Sequence, residues 1–276
     1  MPGGGAEPAA VDVLIPCYGR QAELAVTLAD LAGQEEPGFR VVPSDQTEEG
    51  PAWAHPAVAA MVRVLRCQGR PVQLERHLPR RGLAEQRHYL LSLATAPLVL
   101  YLDSDVWLEP DTLRRMAVAL REAGCGFVGS AGQGLSYLPD ERPPEQETFE
   151  LWDGPVTPER VRRNEPGFSR WPLHNAANLT HLARDLDIPP GGWRLYKVAW
   201  VGGCVLFGRQ ALLDCGGFAF WDRLPPQHAG GDMAAQLKVM ERYGGAGMVP
   251  SGAVHLEAPT TVPDRWVEAA DVVLVP

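Results

Sequence analysis

Two carboxylates placed two residues apart, Asp103 and Asp105, are the side chains of this sequence best placed to do chemistry. They directly follow Leu98 to Leu102, a short apolar run bounded by prolines that is typical of a strand buried on both faces. Carboxylates at the end of a parallel strand lie at the edge where open α/β sheets bind ligands. Such a pair suits a hard divalent cation, which takes its other ligands from water and substrate phosphate. The spacing therefore predicts a cation site with a phosphorylated ligand; the alternative is a solvated Asp-Ser-Asp turn.

A regular alternation of strands and helices surrounds these carboxylates in the first half of the chain. The hydrophobic pattern predicts strands at 11–16, 39–43, 72–74, 98–102 and 127–130, and helices at 21–31, 54–65, 83–93 and 111–123. Such alternation implies a parallel sheet with helices on both faces.

The pattern dissolves from about 132 to 197, a stretch too long for an inert loop. It is rich in tryptophan, proline and charge, and a short helix is predicted within it at 158–163. Regular structure returns as a strand at 198–207, helices at 209–214 and after Gly230-Gly231-Asp232, and short strands at 248–249 and 254–256. The last segment, 257–276, is predicted to be a tail with a final apolar run at 272–275.

Composition limits the class of protein. The chain has 45% hydrophobic and 21% charged residues, as globular proteins do, and its net charge of -9 argues against a nucleic-acid partner. Its 5 cysteines are scattered without a Cys-x-x-Cys pair, which favours buried reduced thiols over zinc or disulfides. The first ten residues lack the features of a signal peptide, and no apolar stretch reaches the ~18 residues that span a bilayer. A cytoplasmic protein without a membrane span is expected.

Four motifs in a fixed order resemble those of the inverting family-2 glycosyltransferases with the GT-A fold, which move a sugar from a nucleotide diphosphate to an acceptor. Val-Leu-Ile-Pro-Cys-Tyr-Gly-Arg at 13–20 is similar to the opening strand and nucleotide-binding turn, and Leu-Asp-Ser-Asp at 102–105 to the Asp-x-Asp motif. The segment 201–218 resembles the acceptor-side segment, and Gly-Gly-Asp at 230–232 stands where the family has its catalytic acid. The resemblance covers about 11–256 and is weakest at 132–197.

The resemblance implies a single Rossmann-like, mostly parallel central sheet flanked by helices, with an acceptor-side insertion. It divides the chain into a disordered tail at 1–10, a GT-A domain at 11–256 and a C-terminal tail at 257–276. Within the domain, 11–131 is expected to bind the nucleotide sugar and 132–256 the acceptor. The oligomeric state, monomer or homodimer, stays open.

The resemblance also implies a donor site, with a UDP-sugar as the favoured donor and dTDP and GDP still open. The expected donor-binding residues are Pro16, Cys17, Tyr18, Arg20, Asp45, Arg81, Gly82, Arg87, Asp103, Ser104, Asp105 and Gly203. Tyr18 would flank the base and Asp45 would hydrogen-bond to it, although Asp45 could equally be a turn or N-cap acid. A cation at Arg81 or Arg87 would offset phosphate charge; for Arg80 and Arg81 the alternative is a solvated helix face.

For the reaction itself, the resemblance implies that Asp103, Asp105 and His255 hold Mn²⁺ or Mg²⁺ and that Asp232 is the general base. Two glycines before Asp232 let the backbone approach a ligand closely, and a carboxylate at a helix start is held rigidly. The local alternative is a plain N-cap. Gly231 replaces the acid that commonly precedes the base in this family, which leaves one acceptor contact in doubt.

The acceptor is expected to be a discrete small molecule, saccharide or peptide, because the Gln-x-x-Arg-Trp motif of processive synthases is absent: Val262 stands three residues before Arg265. Acceptor contacts are assigned to Asp232 and to the aromatic faces of Trp171, Trp193, Trp200 and Trp221, some of which could instead fill the core. Two rival enzymes fit less well. A sugar nucleotidyltransferase would need a Gly-rich basic loop after the first strand, and a phosphatase would need a Thr at Trp107. A non-catalytic nucleotide-sugar-binding protein of the same fold stays open.

Overall fold

The computed structural model describes residues 9–174 and 177–274. Most of the predicted N-terminal tail, and Val275 in the final apolar run, therefore lie outside the described residues. Within them, the strands are β1 Val11–Cys17, β2 Phe39–Asp45, β3 Glu75–Arg76, β4 Leu98–Leu102, β5 Val106–Leu108, β6 Phe127–Gly129, β7 Gln133–Gly134, β8 Arg194–Tyr196, β9 Cys204–Gly208, β10 Gly245–Val249 and β11 Ala253–His255.

The helices alternate with these strands through the first half of the chain, as predicted. Their bounds are α1 Gln21–Leu31, α2 Pro56–Cys67, α3 Leu83–Leu93, α4 Thr112–Ala123, α5 Pro143–Gln146, α6 Asn178–Arg184, α7 Arg209–Asp214, α8 Gly231–Tyr243 and α9 Ala269–Val273. Short 3₁₀ segments lie at Ala52–Ala54, Leu135–Tyr137, Pro166–His174 and Ala219–Arg223. None of the helices in the described part of the chain combines the length and apolarity needed to cross a bilayer.

One central sheet carries the fold. Its eight strands run in the order β3-β2-β1-β4-β9-β6-β10-β8. The pairs β3–β2, β2–β1, β1–β4 and β6–β10 are parallel, whereas β9 is antiparallel to both of its neighbours and β8 is antiparallel to β10. This confirms the predicted α/β class with a mostly parallel sheet. The carboxyl ends of β1, β2 and β4 meet at one edge, directly before the chemistry-bearing segments.

Buried side chains cover both faces of the sheet, because alternate residues of a strand point to opposite sides. In β1, Val13 and Ile15 join the core beneath α1, α2 and α4, while Leu14 joins the core beneath α3 and α8. The strand is buried along its whole length. This is why its sequence is a continuous apolar run instead of an alternation.

A second, three-stranded sheet in the order β5-β11-β7 stands beside the central one. Strand β5 begins directly after Asp105, and β11 ends at His255. Their antiparallel register pairs Val106 with His255. The register therefore carries His255, which is 150 positions away in sequence, to the side of Asp105.

Two predicted elements in the second half of the chain were wrong. No helix forms at 158–163; this stretch runs along α8 instead, where the backbone N–H of Glu159 donates to the carbonyl of Met240 (N···O 3.0 Å). The strand predicted at 198–207 begins only at Cys204, because the chain bends at Gly203, whose φ is +78°. That bend lets the Gly203 carbonyl accept a hydrogen bond from the backbone N–H of Asp103 (N···O 2.8 Å).

The segment predicted to be a C-terminal tail contains a helix that packs on the domain, whereas Trp266 within the segment is 92% exposed. Helix α9 packs against α8. At its first residue, the backbone N–H of Ala269 donates to the carbonyl of Ala229 (N···O 2.9 Å). The short helix is apolar on its inner side, with Ala269 fully buried. The segment between β11 and α9 crosses the sheet edge where β1 and β4 end.

Two aromatic side chains pack against glycines of β10, and this gives a stability test. A Cβ atom at Gly247 would lie 2.2 Å from the ring of Tyr196, which is itself buried. We expect Gly247→Ala to lower the free energy of unfolding by about 1–3 kcal/mol, because a packed core cannot accommodate the methyl group without strain. Chemical denaturation measures this. Gly154→Ala is the matched control, since no heavy atom lies within 4 Å of its Cβ position; an equal loss in both variants would contradict the packing explanation.

Candidate active site

A cavity of about 280 Å³ opens at the carboxyl ends of β1, β2 and β4. Its walls come from the turn after β1, the start of α3, the segment after β4 and the C-terminal segment. The residues that line it are Pro16, Cys17, Tyr18, Arg20, Gln46, Arg80, Leu83, Gln86, Asp103, Ser104, Asp105, His255, Ala258, Thr260, Thr261, Val262 and Arg265. The two carboxylates therefore face three arginines and a histidine. This charge pattern suits a phosphorylated ligand with a cation.

Asp105 lies at the floor of this cavity and is 1% exposed. Its Oδ2 atom pairs with Nη1 of Arg20 at 2.6 Å and with Nε2 of His255 at 3.2 Å. The other oxygen, Oδ1, is buried and accepts no hydrogen bond from any described residue. A buried carboxylate oxygen without a partner is costly, so it marks a position where a ligand or cation would be stabilising.

His255 is held in a defined orientation. Its Nδ1 atom accepts a hydrogen bond from the backbone N–H of Glu257 (2.8 Å), so Nε2 is the nitrogen that faces Asp105 with a proton. The hydrogen bond to Asp105 raises the pKa of His255 above its ordinary value, although burial opposes this. His255 therefore lines the same cavity as Asp105, and its role as a metal ligand stays a prediction.

Arg87 contacts two carboxylates of the site, Asp103 and Asp232. Its guanidinium is 4% exposed; Nη2 lies 3.1 Å from Oδ1 of Asp103, and Nη1 lies 3.8 Å from Oδ1 of Asp232. Burial alone would lower the pKa of Arg87, but the charges of Asp232 and Asp103 raise it above its usual value. Burial in turn raises the pKa of Asp103, which Arg87 opposes. Asp103 and Asp232 thus share one cation at the bottom of one cleft.

Asp232 stands in the first turn of α8, with its side chain 23% exposed. The N-cap position belongs to Gly230, whose φ is +69°, and no side chain caps the helix. Asp232 is therefore not the N-cap of α8, contrary to the alternative drawn from the local sequence. The positive φ at Gly230 turns the chain so that the next carboxylate reaches the cleft instead of the helix N-terminus.

The far end of the cavity offers an aromatic ring and two amides. The guanidinium of Arg80 lies 3.9 Å from the ring centroid of Tyr18. Gln46 follows β2 and is 1% exposed, and its Nε2 atom has no hydrogen-bond partner among the described residues. Gln86 donates to the carbonyls of Cys17 (3.2 Å) and Ser44 (2.7 Å) and so ties the ends of β1 and β2 together. Sequence reasoning missed both amides, although Gln46 directly follows the predicted Asp45.

Asp45 itself does not line the cavity. It is fully buried; Oδ1 accepts from the N–H and hydroxyl of Thr47, and Oδ2 accepts from the backbone N–H of Ala52 (2.7 Å). Both oxygens therefore have partners within the loop after β2. This placement matches the turn-acid alternative.

Four other residues of the predicted donor site lie outside this cavity. Arg81 is exposed, and Gly82, with φ +108°, is the N-cap of α3 packed against the carbonyl of Pro226. Gly203 borders a smaller cavity together with Arg87, Asp103 and Asp232. Arg87 is thus placed between the two carboxylates and not on the cavity wall near a diphosphate. Pro16, Cys17, Tyr18, Arg20 and Ser104 do line the main cavity.

Cys17 lines the cavity as a neutral group. Burial raises the pKa of its thiol to about 12, so the thiolate is not populated at neutral pH. A thiol that keeps its proton is a poor nucleophile. The five cysteines are free thiols, but only Cys17 and Cys204 are buried as predicted; Cys67 is exposed, and Cys125 and Cys215 are half-buried.

The C-terminal segment closes one side of the cavity, which sequence reasoning also missed. Nη2 of Arg20 donates to the carbonyl of Pro259 (2.7 Å), and Nη2 of Arg80 donates to the carbonyl of Thr261 (3.0 Å). These two arginines hold the segment across the cleft. Its prolines and threonines gave no periodic signal that could have placed it there.

An aromatic cluster lies on the other side of Asp232. The rings of Trp171 and Trp200 are 5.0 Å apart, and His174 lies 4.7 Å from the first and 4.6 Å from the second. Burial lowers the pKa of His174, while its hydrogen bond to the Trp171 carbonyl and the charge of Asp232 oppose this. The histidine is therefore close enough to Asp232 to interact with its charge.

The remaining predicted aromatic residues lie apart from this cluster. Trp221 packs on the core beneath α3 and α8, whereas Trp193 packs on the opposite core and lines a separate cavity with Trp152. Two further histidines, His181 and His228, are buried, at 7% and 4% exposure. Nε2 of His228 accepts from the backbone N–H of Ala84 (3.3 Å), which fixes the loop before α8 against α3.

A divalent cation fits this site only with help from a ligand. Among residues 9–174 and 177–274, no group of three or more His, Cys, Asp or Glu side chains could hold a metal ion. Asp105 and His255 are together, but Asp103 is turned to Arg87. The free Oδ1 atom of Asp105 suits a cation that takes most of its ligands from phosphate and water, as Mg²⁺ commonly does. Both ring nitrogens of His255 are used in hydrogen bonds here, so this side chain would need another tautomer and a rotation of its ring to act as a ligand.

A buried acid lies behind the segment that carries Asp105. Asp30 of α1 is 6% exposed; its Oδ2 atom accepts from the backbone N–H of Leu108 (2.5 Å), and its Oδ1 atom has no described partner. Burial raises the pKa of Asp30 to about 8. The carboxyl group is therefore mostly protonated in the folded protein at neutral pH.

Comparison with known proteins identifies the class. The sequence pattern described as "Glycosyl transferase family 2" matches residues 12–176. No curated protein matches the chain by sequence. The fold is that of the GT-A glycosyltransferases, and the chain belongs to glycosyl transferase family 2.

Solved structures with the same fold include two distant ones. Residues 1–349 of S. aureus TarS are 14% identical, with a TM-score of 0.54 over 86% of this chain and 57% of that chain. The mannosyltransferase PcManGT from Pyrobaculum calidifontis, solved with GDP-Man and Mn²⁺, is 17% identical, with a TM-score of 0.51 over 88% of this chain and 57% of that chain. The chain thus spans less than two thirds of the length of either protein.

The raised pKa of Asp30 predicts a pH dependence of stability. A carboxyl group that keeps its proton in the folded state stabilises the protein fully below the unfolded pKa of 3.8, and this stability is lost as the pH rises through about 8. The free energy of unfolding of the wild type, relative to Asp30→Asn, should therefore fall between pH 5 and pH 8, by at most about 1.4 kcal/mol per pH unit.

Denaturation at several pH values measures this difference. Asp187→Asn, at an exposed position, controls for the loss of a surface carboxyl group. If the free energy of unfolding of the wild type, relative to Asp30→Asn, stays constant or rises between pH 5 and pH 8, then Asp30 is ionised in the folded protein.

Proposed function

We propose that this chain transfers a sugar from a nucleotide diphosphate to the nucleophile of a discrete acceptor, with inversion at the anomeric carbon. The observation that supports it most is the contact of one buried guanidinium, Arg87, with both Asp103 and Asp232 (3.1 and 3.8 Å). It gives the Asp-x-Asp segment and the late carboxylate a common cleft. A donor held at the first and a base supplied by the second can then act on the same bond.

Donor binding is assigned to the 280 Å³ cavity. The ring of Tyr18, with Arg80 above it, suits one face of a nucleobase, and the Gln46 amide suits the polar edge of that base. Arg20 and Arg80 carry the charge that a diphosphate needs, since guanidinium groups match phosphate oxygens in pairs. TarS has been solved in complex with UDP-GlcNAc and PcManGT with GDP-Man, which supports a nucleotide-sugar donor and leaves the base open. UDP is the favoured nucleotide.

Asp105 and His255 would hold Mn²⁺ or Mg²⁺ together with the diphosphate, and Asp103 lies beside them. The cation would act as a Lewis acid that neutralises charge on the leaving diphosphate. The residues of the chain supply part of that neutralisation themselves. Arg20, which pairs with Asp105 through Nη1 and with the Pro259 carbonyl through Nη2, could direct its Nη1 to the phosphate when a cation replaces it at Asp105.

Asp232 is assigned as the general base. The acceptor oxygen forms a bond to the anomeric carbon while the bond from that carbon to the diphosphate oxygen breaks; the acceptor proton passes to the carboxylate of Asp232. Attack from the face opposite the diphosphate inverts the configuration. A positioned base of this kind contributes roughly 10²- to 10⁴-fold to the rate. Arg87 keeps the carboxylate oriented and offsets its charge.

The acceptor is assigned to the side of Asp232 where Trp171, His174 and Trp200 cluster. Aromatic faces suit sugar rings and other flat apolar groups, so a saccharide or a glycosylated small molecule fits this side. A non-catalytic nucleotide-sugar-binding protein is the alternative function, because the same cavity could bind a donor without transferring its sugar. Turnover distinguishes the two.

A thermal-shift panel of UDP, dTDP and GDP, each with and without Mn²⁺ or Mg²⁺, tests the donor site. A nucleotide present at 100 times its Kd adds about 2.7 kcal/mol of stability, which corresponds to a rise in Tm of about 5–10 °C. We expect the largest shift with UDP and Mn²⁺, and its loss in Asp105→Asn. A panel in which no nucleotide raises Tm would refute the donor site, and equal shifts without metal would refute the metal.

A single amide substitution tests the base. Asp232→Asn should bind UDP and Mn²⁺ within about threefold of wild type, yet release nucleotide from a UDP-sugar at least about 100-fold more slowly, because it cannot accept a proton. Calorimetry measures the binding and a nucleotide-release assay the turnover. Asp222→Asn is the control and should behave as wild type, because Asp222 is an exposed acid in the stretch that precedes α8 in sequence. Normal turnover in Asp232→Asn would remove the base, and no turnover in wild type with any donor would favour the binding protein.

A further inference from the structure

Three buried polar side chains on one face of α1 and the turn after it point towards the segment 104–109. They are Thr27, Asp30 and Gln34, which are 0%, 6% and 1% exposed. Their spacing of three and four residues places them on one side of a helix. Helix α1 otherwise buries apolar residues on this side, so a polar row here needs a reason. Buried polar groups are stable only when they are hydrogen-bonded.

The hydroxyl of Thr27 bonds to the backbone on both sides of Asp105. Its Oγ1 atom lies 3.1 Å from the carbonyl oxygen of Ser104 and 3.0 Å from that of Val106. One hydroxyl hydrogen is thus shared between the Ser104–Asp105 peptide group, directly before the aspartate, and the Val106–Trp107 peptide group, one residue beyond it. Rotation of the Ser104–Asp105 peptide plane would turn the Asp105 carboxylate away from the cavity. With Thr27 fully buried, water cannot replace this bond.

Gln34 and Asp30 fix the rest of the same segment. The Gln34 amide donates to the carbonyl of Glu109 (3.0 Å), and its Oε1 atom accepts from the backbone N–H of Leu113 (3.2 Å). Asp30 accepts from the backbone N–H of Leu108 (2.5 Å). The row therefore holds the chain from Ser104 into the start of α4.

The same row acts on His255 through the small sheet. Strand β5 lies within the held segment and pairs with β11, so that Val106 is opposite His255. The backbone N–H of Leu256 also donates to the carbonyl of Asp105 (2.8 Å). A shift of 104–108 would therefore move both side chains that face the diphosphate position.

We propose that Thr27, Asp30 and Gln34 are positioning residues for donor binding: they set the orientation of Asp105 and, through β5 and β11, of His255. This inference rests on the proposed function, since it gives the row a role in binding the nucleotide diphosphate with its cation. None of the three side chains lines the cavity. They act through the backbone of 104–109.

A purely structural role would lower stability without changing affinity, so the test must separate these two quantities. Thr27→Val removes the hydroxyl and keeps the shape, whereas Thr27→Ser keeps the hydroxyl and removes the methyl group. We expect Thr27→Val to weaken UDP binding in the presence of Mn²⁺ by about tenfold, the lower end of what loss of a group that orients a metal ligand costs. Thr27→Ser should bind within about twofold of wild type. Binding is measured by calorimetry, and Tm without ligand by calorimetric unfolding.

A stability control comes from α2, which packs on α1. Val62→Ala truncates a buried side chain that is 4% exposed and should lower Tm without changing UDP affinity. If Thr27→Val fails to fold, Gln34→Met, which removes the bonds to Glu109 and Leu113, must show the same selective loss of affinity. If GDP or dTDP gives the largest rise in Tm in the thermal-shift panel, that nucleotide replaces UDP in these binding measurements.

The outcomes separate this inference from the function on which it rests. Wild type that binds UDP and loses that binding in Asp105→Asn, together with Thr27→Val that binds as tightly as wild type, would overturn the positioning role and leave the transferase intact. Equal losses of affinity in Thr27→Val and Thr27→Ser would overturn it as well, because the hydroxyl would then not be responsible. Wild type that binds none of the nucleotides would overturn both.

Discussion

The site depends on one electrostatic constraint: three carboxylates converge on a small cleft, and buried or half-buried cations must compensate them. Arg87 lies between Asp103 and Asp232, and Arg20 pairs with the oxygen of Asp105 that also contacts His255. Without the two arginines the carboxylates would repel one another across a region of low dielectric. Arg87 is the more constrained of the two, because it is almost fully buried. A guanidinium with fixed geometry is suited to this position in a way that a lysine is not.

The fold brings these charges together by three separate devices. The parallel strands β1 and β4 deliver the first arginine and the Asp-x-Asp segment to one sheet edge. The β5–β11 register delivers His255, and the left-handed turn at Gly230 delivers Asp232 at the start of α8. The buried polar row of α1 then fixes the segment between β4 and α4. Together these features fix the positions of the charged side chains in the site.

The sequence was sufficient for most of the first half of the fold, because β1, β2 and β4 are largely buried and α2 and α4 are strongly amphipathic. It was wrong for the third strand, expected at 72–74 and found at Glu75–Arg76, and it missed β5. The motifs also singled out Asp105, Asp232 and His255, whose roles stay predictions. The sequence could not place Arg87, because the partner of a buried arginine depends on tertiary structure and not on local pattern. Asp45 illustrates the same limit: an acid at the end of a strand can bind a ligand or its own loop, and only the backbone of Thr47 and Ala52 decides. The C-terminal segment gave no periodic signal, yet it forms a wall of the cavity.

The most direct test of the central claim, that Asp105 and Asp232 serve one reaction in one cleft, is a crystal structure with UDP and Mn²⁺ bound. The account predicts the diphosphate beside Asp105 and His255, the base beside Tyr18 and Gln46, and the sugar-bearing phosphate at the end of the cavity that leads to Arg87 and Asp232. A nucleotide bound elsewhere, or bound here with its sugar-bearing phosphate directed away from Asp232, would contradict it.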